Sequence, residues 1–228
     1  MSSSSSLPSN VHVSSHPVLH AKISALRQAG SAKDTRTLVS EISSLLAAWV
    51  SGDAFSVQPG PSAVSATGTT YTTAVASPSS YVLIPILRSG LGMVDSFLSL
   101  LPSSETPVYH LGLFREKISL SPVEYYNKLP KQPFDTAFVL DPLIATGGTA
   151  EAVVATLKEW GVKKIYLVSV IASSAGISRL FEELSPKDFE DGLLELYVGA
   201  VDDELSATGY ILPGVGDLGD RQNNTSHD

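Results

Sequence analysis

Residues able to hold a phosphate are concentrated in one short stretch, Asp141-Pro142-Leu143-Ile144-Ala145-Thr146-Gly147-Gly148-Thr149. The apolar, β-rich run from Thr136 to Leu140 precedes it, and a helical pattern from Ala150 to Trp160 follows. A loop between a strand and a helix ends where the first backbone N–H groups lack intrahelical partners and the helix dipole favours an anion. Gly147 and Gly148 let an anion approach the main chain without a Cβ in the way. Thr146 and Thr149 add hydroxyl donors. Asp141 stands where the strand ends, placed to accept hydrogen bonds from sugar hydroxyls or to hold a hydrated magnesium ion. The combination reads as a cradle for a ribose 5-phosphate, although a plain βα turn accounts for a Gly pair equally well. The P-loop and dinucleotide-binding readings are weaker, because no Lys follows the glycines and the G-x-G-x-x-G spacing is absent.

Three other places carry residues suited to binding such a ligand. Tyr81 to Ile86 is a short continuous apolar run, the mark of a strand buried on both faces, and Leu87-Arg88-Ser89-Gly90 follows it. A guanidinium at the end of a buried strand suits a pyrophosphate, because its fork can hold two oxygens at once. Arg115 likewise closes an expected strand, Pro107 to Leu113, with a rim salt bridge to Glu116 or Glu124 as the competing explanation. His110 has no partner at ligand spacing and reads as structural. Near the C-terminus, Gly209-Tyr210-Ile211-Leu212-Pro213-Gly214-Val215-Gly216-Asp217-Leu218-Gly219-Asp220-Arg221 is a loop rich in glycine. Its main-chain donors and acceptors can face a small ligand. Taken alone, it is also any C-terminal loop.

An alternating α/β frame must position these loops. Helical patterns run from Pro17 to Ala29 and from Asp34 to Val50. In the second, Leu38, Ile42, Leu45, Leu46 and Trp49 share a face suited to core or subunit contact. Further helices are expected over 91–101 and 175–184, and strands over 164–171 and 193–198. The alternation from residue 81 onward implies a doubly wound, mainly parallel sheet flanked by helices. Residues 51–80 read as a mobile hairpin or linking loop to which no function is assigned. Residues 1–15 read as a disordered Ser-rich lead, leaving 16–228 as a single domain.

At 228 residues the chain is long enough to bury a substantial core, and 43% of it is apolar. A net charge of −8 argues against nucleic-acid or anionic-membrane binding. The absence of cysteine excludes disulfides, thiolate metal sites and cysteine nucleophiles. No apolar run is long enough for a membrane span and no signal-peptide pattern opens the chain. A soluble cytoplasmic protein is the expectation.

Asp141 to Thr149 resembles the phosphoribosyl pyrophosphate (PRPP) motif of the type I phosphoribosyltransferases, and its single acid followed by Pro resembles the uracil phosphoribosyltransferase branch. Pro85 to Met93 is similar to that family's pyrophosphate loop, with Ser89 where Ala is usual. Gly112-Leu113-Phe114-Arg115 resembles a Gly-Leu-Tyr-Arg segment. Pro213-Gly214-Val215-Gly216-Asp217-Leu218-Gly219-Asp220 matches the uracil loop. His16-Pro17 resembles the start of a helical N-terminal arm that takes part in dimer packing; the match weakens at Ala47 to Val50.

The resemblance implies transfer of the phosphoribosyl group from PRPP to uracil, giving UMP and pyrophosphate in pyrimidine salvage. PRPP would be held by Arg88, Ser89, Gly90, Arg115, Asp141 through Thr149, and Asp217. Uracil would meet Tyr210, Ile211, Gly216, Asp217 and Leu218. Arg88, Arg115, Asp141 and Asp217 would carry the catalytic role, under a flexible hood at about 114–132. Magnesium would arrive mainly on PRPP, with no protein metal ligand assigned. A homodimer or higher homo-oligomer is implied, and GTP binding is a property that parts of the family admit. Two alternatives stand beside this: a non-catalytic PRPP- or nucleotide-binding member, and a phosphoribosyltransferase for another pyrimidine.

Overall fold

The computed structural model describes residues 7–115, 122–182 and 184–225. A short strand β1 (Val11–Val13) leads into helices α1 (Pro17–Leu26) and α2 (Ala32–Ala54). Strands β2 (Ser56–Val64) and β3 (Thr70–Ser77) form an antiparallel hairpin, a two-stranded sheet of its own. Then come β4 (Tyr81–Leu87), a 3₁₀ turn at Ser89–Met93, α3 (Val94–Leu98), β5 (Leu111–Arg115), β6 (Pro122–Asn127), β7 (Thr136–Leu140) and the short β8 (Leu143–Ile144). Helix α4 (Gly148–Trp160), β9 (Lys164–Ser173), α5 (Ser174–Glu182), α6 (Pro186–Glu190) and β10 (Leu194–Asp202) follow. The chain continues through β11 (Glu204–Leu205), β12 (Ile211–Leu212) and α7 (Leu218–Asn223).

The large sheet runs β1-β10-β9-β7-β4-β5-β6, with β8 paired beside β9. Its neighbours are parallel except β5 and β6. The chain leaves β4 toward β5 on one side, whereas β7 passes through α4 to β9 on the other. The carboxyl ends of β4 and β7 therefore flank the crevice where connections diverge, which is where open α/β sheets bind ligands.

Period-two alternation sends successive side chains to opposite faces of the sheet. Leu83, Phe138, Leu140 and Val168 join the core beneath α1 and α2, while Ile84, Ala137, Val139 and Leu167 join the one beneath α4 and α5. Helix α2 begins with a reciprocal cap, in which the Ser31 hydroxyl accepts from Asp34 N and Ser31 N donates to the Asp34 carboxylate. It buries Val39, Ile42, Leu46 and Val50. Leu38, Leu45 and Trp49 of the expected stripe pack half-buried against the same core. Phe138 sits at the centre, fully buried and stacked on Phe55 and Tyr166 at 5.7 and 5.2 Å between ring centroids.

Several boundaries differ from expectation. Val11–Val13, inside the stretch read as a disordered lead, pairs in parallel with Leu196–Val198, because β10 offers an open edge. The helix expected at 91–101 is mostly a 3₁₀ turn and then one short α-helical segment. Gly90 and Gly92 in its first half disfavour a regular helix. The strand expected from Pro107 makes an isolated bridge at Val108 and becomes continuous only at Leu111. Of the expected hood, 116–121 lie outside the described residues, and Pro122–Asn127 pairs with β5.

Truncating Phe138 to Ala removes the ring on which Phe55 and Tyr166 stack and leaves a cavity no neighbour can fill. Phe138→Ala is expected to destabilise the fold by about 3–5 kcal/mol in denaturant titration; a loss below about 1 kcal/mol would show that the aromatic stack is not part of the stabilising core.

Candidate active site

A cavity of about 250 Å³ opens at the carboxyl ends of β4 and β7. Ser89 enters it from the turn after β4, and Asp141, Leu143 and Ala145 from the turn after β7. The third wall is the segment from Gly209 to Gly219, including Tyr210, Ile211, Gly216, Asp217 and Leu218. Three loops far apart in sequence thus line one cavity.

What joins the first two walls is a backbone contact. Gly90 lies so close to the Leu140 carbonyl oxygen that a Cβ would collide with it. The residue before this turn is linked by a cis Leu87–Arg88 peptide. Asp141 is buried at 7% exposure. Burial raises its carboxyl from the usual carboxylate range to about 7, opposed by a hydrogen bond from the Leu143 N–H.

The turn from β8 into α4 is tight. Gly147 adopts φ +81° and caps α4, and its carbonyl accepts from Glu151 N at 2.9 Å. The Thr146 hydroxyl is buried with no hydrogen-bond partner among the described residues. Ser173 fixes the loop from below, donating to the Ala145 carbonyl and accepting from Gly176 N at 2.8 Å. Two residues in this stretch play structural parts, Ile144 through its side chain and Pro142 through its backbone carbonyl. Ile144 is 2% exposed in the core, and the Pro142 carbonyl accepts from Val170 and Ile171 N–H groups. They can serve a ligand only by placing the loop.

Arg88 stands beside the cavity and does not line it. Its Nη2 donates to Asp220 Oδ1 at 2.8 Å and its Nη1 to the Thr225 hydroxyl at 3.3 Å. Arg115 ends β5, and its side chain lies outside what is described. Asp217 caps α7, one carboxylate oxygen accepting from Asp220 N at 2.9 Å. Among the described residues, the cavity wall therefore contains two carboxylates and no basic side chain.

The loop around Gly214 is held by residues that sequence patterns did not single out. Arg27, just after α1, forks onto both carboxylate oxygens of Asp202 at 2.8 Å, and also donates to the Gly214 carbonyl at 3.1 Å. Asp202 in turn accepts from Gly214 N. Arg221 donates to the carbonyls of Leu26, Gln28 and Val215. The end of α1 is thus tied to the loop that carries Ile211 and Gly216. Gly214 and Gly216 have φ +51° and +71°, conformations in which glycine is favoured.

Comparison with known proteins agrees with this geometry. The family model for uracil phosphoribosyltransferase matches residues 13–225. A Schizosaccharomyces pombe protein provisionally named a uracil phosphoribosyltransferase is 44% identical over 214 residues, 93% of this chain and 89% of the relative. The uracil phosphoribosyltransferase of Desulfitobacterium hafniense is 41% identical over 213 residues, 92% of this chain and 96% of the relative. Among solved structures, the AQ2163 protein from Aquifex aeolicus superposes with a TM-score of 0.83 at 28% identity, covering 96% of this chain and 100% of that one.

The raised carboxyl of Asp141 has a stability consequence of defined sign. The folded state binds its proton more tightly than the unfolded chain, so this group's contribution to stability is present at low pH and is lost as pH rises toward about 7. Asn cannot ionise. In thermal melts of the ligand-free protein, the advantage of Asp141→Asn over the native chain should grow between pH 5 and 8, by on the order of 2 kcal/mol. A difference independent of pH would mean that Asp141 keeps an ordinary carboxylate.

Proposed function

The chain belongs to the uracil phosphoribosyltransferase family, and we infer that it transfers the 5-phosphoribosyl group of PRPP to uracil, giving UMP and pyrophosphate. It is a pentosyltransferase of pyrimidine salvage. The observation that carries this reading is the meeting of three loops in one cavity at the divergence of β4 and β7.

The division of labour follows from the chemistry of each wall. The main-chain donors and hydroxyls of Thr146 to Thr149 suit the 5-phosphate, at the start of a 13-residue helix. Asp141 sits one strand end away, where an ionised carboxylate accepts from ribose hydroxyls. Ser89, Gly90 and Asp217 border the place left for the pyrophosphate. Tyr210, Ile211, Gly216 and Leu218 shape a slot whose backbone edge suits uracil. In the reaction the bond from the anomeric carbon to the pyrophosphate oxygen breaks, and the bond to uracil N1 forms with inversion. The electron pair leaves with pyrophosphate, and the N1 proton is lost, with Asp217 as the nearest wall carboxylate to receive it. Most of the acceleration would come from positioning and charge.

A divalent cation fits these residues. Asp141 and Asp217 bring negative charge into a cavity that has no basic side chain among the described residues. Among the described residues no cluster of three or more His, Asp or Glu converges as a metal cage. Magnesium carried on the diphosphate would complete its shell with water and at most these carboxylates, and would neutralise the leaving group. Arg88 and Arg115 would supply the remaining positive charge. For Arg88 this requires exchanging Asp220 for pyrophosphate.

The second reading, binding of PRPP or a nucleotide without turnover, is favoured by one observation, the pairing of Arg88 with Asp220 away from the cavity. UMP formation from labelled uracil, PRPP and magnesium separates the two. The native chain should form UMP, and Arg88→Ala should lower kcat/KM by at least about tenfold. PRPP binding with no UMP would establish the second reading. UMP formation with other bases excluded in a competition panel would establish the substrate.

Self-association is also proposed. The β2–β3 hairpin exposes Val57 and Val64 on one face and Tyr71 and Val75 on the other, with Val57 at 78%, apolar side chains that a second copy would cover. Sedimentation should give a mass near twice 24.0 kDa, and a monomer at micromolar concentration would refute it. Among the described residues no helix is long and apolar enough to cross a membrane, and cytoplasmic residence is proposed with the salvage role.

A further inference from the structure

We propose that Arg179 is a substrate-binding residue that brings a positive charge to the 5-phosphate loop, released to it by Glu151. This rests on the reading of Thr146–Thr149 as the 5-phosphate cradle. The stretch from Asp141 to Thr149 contains no Lys or Arg. Its own donors are neutral: N–H groups at the start of α4 and two threonine hydroxyls, of which the Thr146 Oγ1 is buried and without a partner among the described residues. A phosphate dianion held by neutral donors alone lacks a counter-charge.

Helix α5 supplies one. Its first turn is pressed onto the loop: a Cβ on Gly176 would collide with the Ala145 carbonyl, and Ser173 bridges the same carbonyl to Gly176 N. One turn later, Arg179 lies across the glycine pair. Its Nη1, Cζ and Nη2 stand 3.5, 3.6 and 3.6 Å from the position of a Cβ on Gly148, so the guanidinium lies flat over that residue. Its Cβ is 3.3 Å from the corresponding position on Gly147. A Cβ at Gly148 would rest in ordinary contact with the guanidinium, whereas at Gly147 the positive φ and the Gly176 carbonyl leave no room for one.

The guanidinium is held there by Glu151. Nε and Nη2 both reach the same oxygen, Oε2, at 2.8 Å, and Nη1 takes no part in the pair. Both side chains are substantially exposed, at 47% and 30%, so the pair is weak and exchangeable. Glu151 lies in the first turn of α4, where its carboxylate occupies the same positive helix end that the phosphate needs and repels an incoming dianion. Arg179 cancels that repulsion in the ligand-free molecule. A bound phosphate draws the same guanidinium toward itself. The two side chains should therefore act on the 5-phosphate with opposite signs.

That opposition is what a simple surface salt bridge would not produce, and binding titrations of the full chain can read it. Ribose 5-phosphate probes the cradle and pyrophosphate probes the other end of the site. Arg179→Ala is expected to weaken ribose 5-phosphate by about tenfold and leave pyrophosphate within about twofold. Glu151→Gln should tighten ribose 5-phosphate by about threefold, and Arg179→Lys should restore part of what Ala loses. Melting curves of each variant confirm that it is folded. Shifts of the two variants in the same direction, or an Arg179→Ala affinity equal to native, would overturn the assignment while leaving UMP formation intact. No ribose 5-phosphate binding by the native chain would instead remove the cradle reading on which it rests.

Discussion

The contact between Gly90 and the Leu140 carbonyl sets the geometry of everything around the cavity. Two parallel strands of a twisted sheet diverge at their carboxyl ends, and a gap there would fill with water and leave the loops independent. Backbone against backbone closes that gap. It places Ser89 and Asp141 on one surface and drives Asp141 out of solvent. The burial that raises its carboxyl is thus a by-product of how closely the two turns approach. A carboxylate poised near neutrality, with few donors around it, is an acceptor for whatever hydroxyl or cation the ligand brings.

The charge distribution follows a single plan. The cavity wall is acidic, and the nearby guanidinium groups described are held outside it, Arg88 by Asp220 and Arg179 by Glu151. Pairs this exposed contribute little to folding, so giving them up for a ligand phosphate requires little. Deeper inside, Arg27 and Asp202 form a bidentate pair, with Asp202 at 7% exposure. That pair holds the loop around Gly214 to α1. The exposed pairs flank the cavity and the buried pair lies behind it, in keeping with the proposed division between ligand charge and a neutral base.

The legible parts of the molecule were those written in consecutive residues. Thr136–Leu140 and Tyr81–Leu87 appear as strands because unbroken apolar runs need burial on both faces. The cradle at Thr146–Thr149 and the Gly-rich loop near residue 214 declare themselves through local spacing. Arg27 and Asp202 did not, because an ion pair across 175 positions leaves no local pattern. Strand β1 was hidden by the serines around it: three residues suffice when β10 supplies the hydrogen bonds. The pairing of Arg88 was equally invisible, since its partner Asp220 lies in a motif that reads as a ligand loop in its own right.

The wiring of the sheet also bears on how the chain reaches this state. Val11–Val13 finds its partners at Leu196–Val198, and α1 rests on Gly199, whose Cα faces Leu19 and Ile23. Almost the whole chain must therefore exist before its first elements can dock. Such high contact order slows folding and leaves early apolar surfaces uncovered. During synthesis the apolar faces of α1 and α2 would emerge well before β10, the strand that covers α1, so this part of the core would be the last to consolidate.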